Sequence, residues 1–203
     1  MMNCNDLIFF ATFGLDLYIF ITKLNPMAIK VATLGNGCFW CTEAIFKRLK
    51  GVKAVLPGFS GGSIKNPAYR EVVTGRTGHA EVLRIEYDTK QISFEKLLSV
   101  FFATHDPTTL NRQGNDRGTQ YRSAIFYHNA AQKKTAISSI ARLIEAAVFS
   151  SSIVTEITEF EAFYKAEAYH QDYFESHQQE PYCSVVINPK LQKFLKDFQS
   201  DLK

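Results

Sequence analysis

The sequence predicts an α/β (α+β) chain, a two-layer sandwich of helices packed on a mixed β-sheet, and three observations lead there. Short strand-like runs alternate with helix-periodic runs from residue 29 onward. No internal repeat, low-complexity tract or Pro/Gly/Ser linker divides residues 28–203. A chain of 203 residues with 46% hydrophobic content can bury one sizeable core without disulfide staples.

Taken in order, "IKVATL" (29–34) reads as a buried strand that ends in a glycine turn at 35–37. Ile45, Phe46 and Leu49 then keep helical spacing, and Gly51 is a suitable stop. "VKAVLPGFSGG" (52–62) returns as a strand and dissolves into a glycine-rich loop. In "EVLRIEYD" (81–88), Leu83, Ile85 and Tyr87 share one face while Arg84 and Glu86 share the other, as a strand requires. "SFEKLLSVFFATH" (93–105) predicts a helix, and "TQYRSAIFYH" (119–128) a strand. Ile137, Ile140, Ala141, Ile144 and Val148 line up a further helix, 151–157 a strand, and 161–176 another helix. After a proline-punctuated segment, Leu191, Phe194, Leu195, Phe198 and Leu202 predict a docked C-terminal helix beginning at Pro189.

The N-terminus stands apart. Residues 7–21 are apolar, but Asp16 interrupts them and no basic residue precedes them. That run is shorter than the ~20 residues of a membrane helix, and a signal peptide would need a positive n-region. Residues 1–26 are therefore expected to be an upstream extension outside the fold, with Met27 as the start and 27–203 as a single catalytic domain. A short apolar anchor, with membrane attachment or export, is the alternative for this segment.

Lysine and arginine number 23 against 20 acidic residues, with no basic block carrying interleaved aromatics, which argues against nucleic-acid binding. Four cysteines (Cys4, Cys38, Cys41 and Cys183) are too few and too scattered for a secreted disulfide framework. Free thiols in the cytoplasm are expected.

"GNGCFWCTEAIF" (35–46) carries the chemistry: two cysteines flank Phe39 and the sole tryptophan, Trp40. Cys38 stands at the start of a helix, where free N–H groups and the macrodipole lower a thiol pKa; Cys41, one turn in, feels this less. Cysteines at i and i+3 lie about 5 Å apart at Cα, within disulfide range. Structural zinc needs four ligands. Here there is no second pair, and His79, His105, His128, His170 and His177 lack ligand spacing. A copper carrier using Cys38 and Cys41 is an alternative, as is a generic thiol–disulfide oxidoreductase. Trp40 would crowd a two-coordinate metal, and no proline is an obvious counterpart to the cis-proline of thioredoxin-like enzymes.

Glu81 shares strand parity with Leu83, Ile85 and Tyr87. If it lies on the buried face, desolvation raises its pKa and makes it a general acid. If it sits just ahead of the strand, it stays solvated; both readings remain open. Asp116 and Tyr121 in "NRQGNDRGTQYRSAIF" and Tyr69 in "NPAYREV" can supply hydrogen bonds. Together with a thiolate and an acid they suit nucleophilic attack at an S=O or C=O centre.

"GCFWCTE", "GGSIKNPAYREV", "TGHAEVLRIEYD", "THDPTTLNRQGNDRGTQYRSAIF", "AEAYHQDYF" and "PYCSVVINPKLQKF" follow in order across 29–198, and together they resemble the peptide-methionine (S)-S-oxide reductases. The resemblance implies a ferredoxin-like core and reduction of the S epimer of methionine sulfoxide, protein-bound and free, in repair after oxidative damage. It implies that Cys38 is the nucleophile and Glu81 the acid, and that Phe39 and Trp40 wall the substrate's methyl pocket. Tyr69 and Tyr121 would bind the sulfoxide oxygen, with Asp116 near the substrate. Attack leaves a sulfenic acid on Cys38, which a second thiol converts to a disulfide. Cys183 in "PYCS" matches a C-terminal resolving position and is preferred. Cys41 stands where the family commonly has glycine and is the alternative. Thioredoxin, or dithiothreitol in vitro, would restore the thiols; no metal or organic cofactor is implied, and a monomer is expected.

Overall fold

In the computed structural model, residues 29–203 are described; the expectations for residues 1–26 lie outside them. The first elements are β1 (Ile29–Asn36), α1 (Phe39–Phe46), β2 (Val52–Ser60), the one-turn α2 (Tyr69–Val72) and β3 (Ala80–Asp88). There follow α3 (Phe94–Ala103), the two-residue strands β4 (Arg112–Gln113) and β5 (Asp116–Arg117), β6 (Ser123–Tyr127) and α4 (Ala130–Glu145). The chain ends through β7 (Glu156–Glu159), β8 (Tyr164–Lys165), α5 (Tyr173–Ser176) and α6 (Asn188–Asp197). Six strands form one sheet in the order β7-β6-β1-β3-β2-β8. It is mixed: β6 and β7 run parallel, and the other neighbours are antiparallel.

Strand parity divides the interior in two. Leu34, Leu83 and Ile125 are register partners around β1, and they join Ala32, Ile85 and Tyr87 in the main core with residues of α1, α3 and α6. The opposite parity, Ala80, Val82, Ala124 and Phe126, forms a smaller cluster closed by Phe160 and Phe163. Helices on one face and an irregular segment on the other make the two-layer sandwich that the alternation predicts. Among the described residues, no helix is long and apolar enough to cross a membrane.

Local signals place several boundaries. Ser93 caps α3 by accepting the Lys96 N–H at 3.1 Å, and Asn129 caps α4 by accepting the Gln132 N–H at 3.0 Å. Gly51, at φ +82°, turns the chain toward β2, but α1 ends earlier than expected, at Phe46 with Lys47 as its C-cap.

Four expectations need correction. Residues 161–176 are not one helix: they comprise β8, a 3₁₀ turn (Ala168–His170) and the four-residue α5. Lys165 pairs with Gly58 of β2, where any Cβ would lie 2.4 Å from the Phe163 ring, so tertiary pairing overrides the helical pattern. The strand expected over 151–157 begins at Glu156, and the one expected over 119–128 opens with a 3₁₀ turn (Thr119–Tyr121). On α4, Ile137 and Ile144 face solvent while Ala136, Ser139 and Gln132 are buried, and Val148 lies beyond the helix. Small side chains there allow close approach, and Gln132 donates to the Val31 carbonyl at 2.7 Å.

Candidate active site

The site is assembled at the C-terminal end of β1. Gly37, at φ +89°, turns the chain into α1 against the Gln113 side chain. A Cβ on Gly37 would come within 2.6 Å of Gln113 Cγ, so the turn requires glycine. Cys38 is the N-cap of α1, and its carbonyl accepts the Cys41 N–H at 3.2 Å.

The next N–H is engaged by the acid. Phe39 N donates to Glu81 Oε2 at 3.0 Å, linking the second residue of β3 to the helix start. Glu81 is 1% exposed and lies opposite Phe59 in β2, which resolves the open question about it in favour of burial. Burial above all, and then the neighbouring Cys38, hold its carboxyl well above the usual range. Tyr69 begins α2, and Tyr121 ends the 3₁₀ turn before β6. Burial, followed by the charges of Glu81 and Cys38, raises both phenols, so each stays protonated and able to donate. Asp116 accepts from the Tyr182 hydroxyl at 2.8 Å, and that hydroxyl lies 3.9 Å from Cys41 Sγ.

Aromatic rings close the other side. Phe39 is buried beside Phe59, Tyr69 and His170, with ring centroids 5.9, 6.4 and 5.2 Å away. Trp40 is half-buried and stacks flat on Tyr173 at 3.6 Å, 5° between planes. Its indole N–H donates to His170 Nδ1 at 3.1 Å. Burial keeps His170 below the usual histidine range, in agreement with that acceptor role.

The helix-start argument for a lowered Cys38 pKa is reversed here. The Trp40 backbone N–H favours the thiolate, but burial and the adjacent Cys41 outweigh it and push the Cys38 thiol well up. Cys183 is fully buried at the start of a π-helical turn (Cys183–Ile187) and follows Tyr182 directly. Burial raises its thiol, with the Cys38 charge adding to the effect. Cys38, Cys41 and Cys183 are all unpaired. Among the described residues, no group of three His, Cys, Asp or Glu side chains could hold a metal ion.

All nine residues singled out from the sequence thus converge on one region, with Cys183 behind the surface. Sequence reasoning missed His170, Tyr173, Tyr182 and Glu43. "AEAYHQDYF" puts His170 and Tyr173 three apart, and Tyr182 adjoins Cys183 in "PYCS". Glu43 follows Trp40 by three on α1, the spacing of one helical face.

The model of the family described as "Peptide methionine sulfoxide reductase" matches residues 30–202. A Saccharolobus solfataricus protein named "Peptide methionine sulfoxide reductase MsrA" is 54% identical over 175 residues, covering 86% of this chain and 98% of its own. A Sulfolobus acidocaldarius protein of the same name is 56% identical over 170 residues, covering 84% and 96%. Among solved structures, reduced Mxr1 from Saccharomyces cerevisiae aligns at TM-score 0.71 and 35% identity, over 78% of this chain and 91% of that one. Mxr1 in complex with Trx2 aligns at TM-score 0.50 and 27% identity, over 73% and 87%.

Proposed function

Because the chain belongs to the peptide methionine sulfoxide reductase family, we propose that it reduces the S epimer of methionine sulfoxide, free and in proteins, through Cys38 and Glu81. The observation that carries this reading is the contact between Phe39 N–H and Glu81 Oε2 at the first turn of α1. It brings an acid kept protonated by burial beside the thiol that must react.

The sulfoxide oxygen takes hydrogen bonds from Tyr69 and Tyr121, and its S-methyl group lies against Phe39 and Trp40. Glu81 gives its proton to the oxygen, which leaves the sulfur electron-poor. A positive sulfur beside Cys38 favours the thiolate that burial disfavours in the free enzyme. The Cys38 sulfur attacks the substrate sulfur to form a sulfur–sulfur bond. The hydroxyl group then passes from the substrate sulfur to the Cys38 sulfur as the sulfur–sulfur bond breaks, one electron pair stays on the departing methionine, and Cys38 is left as a sulfenic acid. The proton lost by the thiol returns Glu81 to its acid form. Asp116, holding the Tyr182 hydroxyl, keeps that side of the site polar.

Cys183 then attacks the sulfenic acid, water leaves, and a Cys38–Cys183 disulfide forms. Its place next to Tyr182, whose hydroxyl donates to Asp116 in the site, supports this assignment. Cys41, already beside Cys38, is the alternative partner. Two-electron reduction by thioredoxin regenerates both thiols; the match to Mxr1 bound to Trx2 supports that partner. We place this activity in the cytoplasm, where a reducing pool would hold such thiols free between turnovers, and expect it of a monomer.

The catalytic domain is residues 27–203. The test is dithiothreitol-driven turnover of the separated sulfoxide epimers, on the full chain and on one begun at Met27. Both are expected to reduce the S epimer and spare the R epimer. Turnover of the R epimer alone, or a Cys38→Ser variant as active as wild type, would end this reading; a dead shortened chain would end the domain assignment.

A further inference from the structure

The wall of the methyl pocket has a support of its own. Trp40 meets the segment 168–176 twice, through the His170 Nδ1 acceptor and through the Tyr173 ring. That segment has little intrinsic order. A 3₁₀ turn leads through extended Gln171 to Asp172, a non-glycine residue at φ +55°, and then to a helix of four residues. One helical turn does not sustain itself, and its first N–H groups need acceptors. The Asp172 side chain supplies none.

Glu43 supplies one from the neighbouring helix. Its Oε1 accepts the Asp172 N–H at 3.0 Å, at the residue directly before Tyr173. Trp40, Glu43 and Lys47 are spaced i, i+3, i+7, so one face of α1 carries both the pocket wall and the anchor of its support. Lys47 pairs with Asp172 and Arg48 with Glu175, but these ion pairs are partly exposed and therefore weak. Glu43 is 4% exposed, so its hydrogen bond escapes competition from water.

We propose that Glu43 is a positioning residue for the substrate's methyl pocket: by accepting the Asp172 N–H, it sets the neighbouring Tyr173 ring against Trp40. The proposal rests on the reading of Trp40 as the pocket wall. It predicts that losing the acceptor loosens substrate binding while leaving the chemistry at Cys38 and Glu81 intact.

Trp40 is the sole tryptophan, so intrinsic fluorescence reads its environment directly. In Glu43→Ala, the emission of the free enzyme shifts to the red as the indole loses its stacked neighbour. The KM for methionine sulfoxide rises about tenfold, the scale of one lost aromatic pair. The single-turnover rate at saturating sulfoxide stays within about twofold of wild type. Glu43→Gln, which keeps an acceptor oxygen, returns emission and KM to within about threefold of wild type. Should Glu43→Ala fail to fold, Glu43→Asp, one methylene short of the Asp172 N–H, carries the same expectation. Unchanged emission and KM in a folded variant, even with a lowered melting temperature, would reduce Glu43 to a structural role and overturn the proposal. So would Glu43→Gln as impaired as Glu43→Ala. The fluorescence shift stands without turnover, so failure of the sulfoxide reading and failure of this one are distinguishable.

Discussion

Glu81→Gln isolates proton transfer from every other task of the site. Glu81 has one defined protein partner, the Phe39 N–H on Oε2 at 3.0 Å. Glutamine has the same length, so its carbonyl oxygen keeps that bond and its amide N–H₂ group takes the place of the protonated oxygen. The amide can still donate a hydrogen bond to a sulfoxide oxygen, but it cannot surrender the proton. Binding should therefore hold, with KM within about threefold, while the chemical step loses what general acid catalysis supplies. That loss is about 10²- to 10⁴-fold, on the order of 3–5 kcal/mol of barrier.

The assay is a single turnover without recycling reductant, with the methionine formed per enzyme quenched and counted at saturating S-sulfoxide. The pH profile gives a second, independent sign. Glu81 acts as the protonated acid and burial raises its pKa, so the wild-type rate falls as pH rises through that raised pKa. That fall should vanish in Glu81→Gln. A chemical step within about threefold of wild type, or a loss confined to KM, would refute the reasoning. An unchanged alkaline limb would move the acid role to Tyr69 or Tyr121.

Oxidising the enzyme with one equivalent of methionine sulfoxide and mapping its disulfide by peptide mass should yield Cys38 joined to Cys183, in wild type and in Cys41→Ser; a Cys38–Cys41 bond instead would transfer the resolving role to the first turn of α1. Gly37→Ala forces a side chain into a backbone at φ +89° and to within 2.8 Å of Gln113 Cβ. It should lower stability by roughly 1–3 kcal/mol in denaturant unfolding, and a midpoint equal to wild type would show that the turn tolerates a Cβ after all.

What was legible in the sequence was what neighbours along the chain decide. In β3 the alternation of Leu83, Ile85 and Tyr87 fixed a buried face and set the parity of Glu81, but only the strand's start at Ala80 and the pairing with Phe59 put Glu81 within that face rather than ahead of it. Glycines 35 and 37 followed by Cys38 marked a strand turning into a helix, which is where the thiol stands. The charge state of that thiol was not legible, because the helix start is a local feature, whereas the burial that outweighs it comes from residues distant in sequence.

The same distinction explains the misread segment. Residues 161–176 contain good helix formers, yet their partners are remote: Gly58 for Lys165, the Pro57 carbonyl for the Ala166 N–H, Glu43 for the Asp172 N–H. No window along the chain contains those pairings, so periodicity had nothing to detect, and His170 and Tyr173 were missed with the segment that bears them. On α4 the large apolar residues misled in the opposite sense, since Ile137 and Ile144 are exposed while Ala136 and Ser139 turn inward. The division follows function. The residues assigned to touch the substrate sit at the ends of regular strands and helices whose patterns are local. Those that hold them in place, Glu43 for the Tyr173 turn, Tyr182 for Asp116 and His170 for Trp40, reach across 129, 66 and 130 positions of sequence. Chain-local signals can therefore find a thiol and its acid, but the rigidity of the pocket around them emerges only when the sheet and its returning strap are assembled.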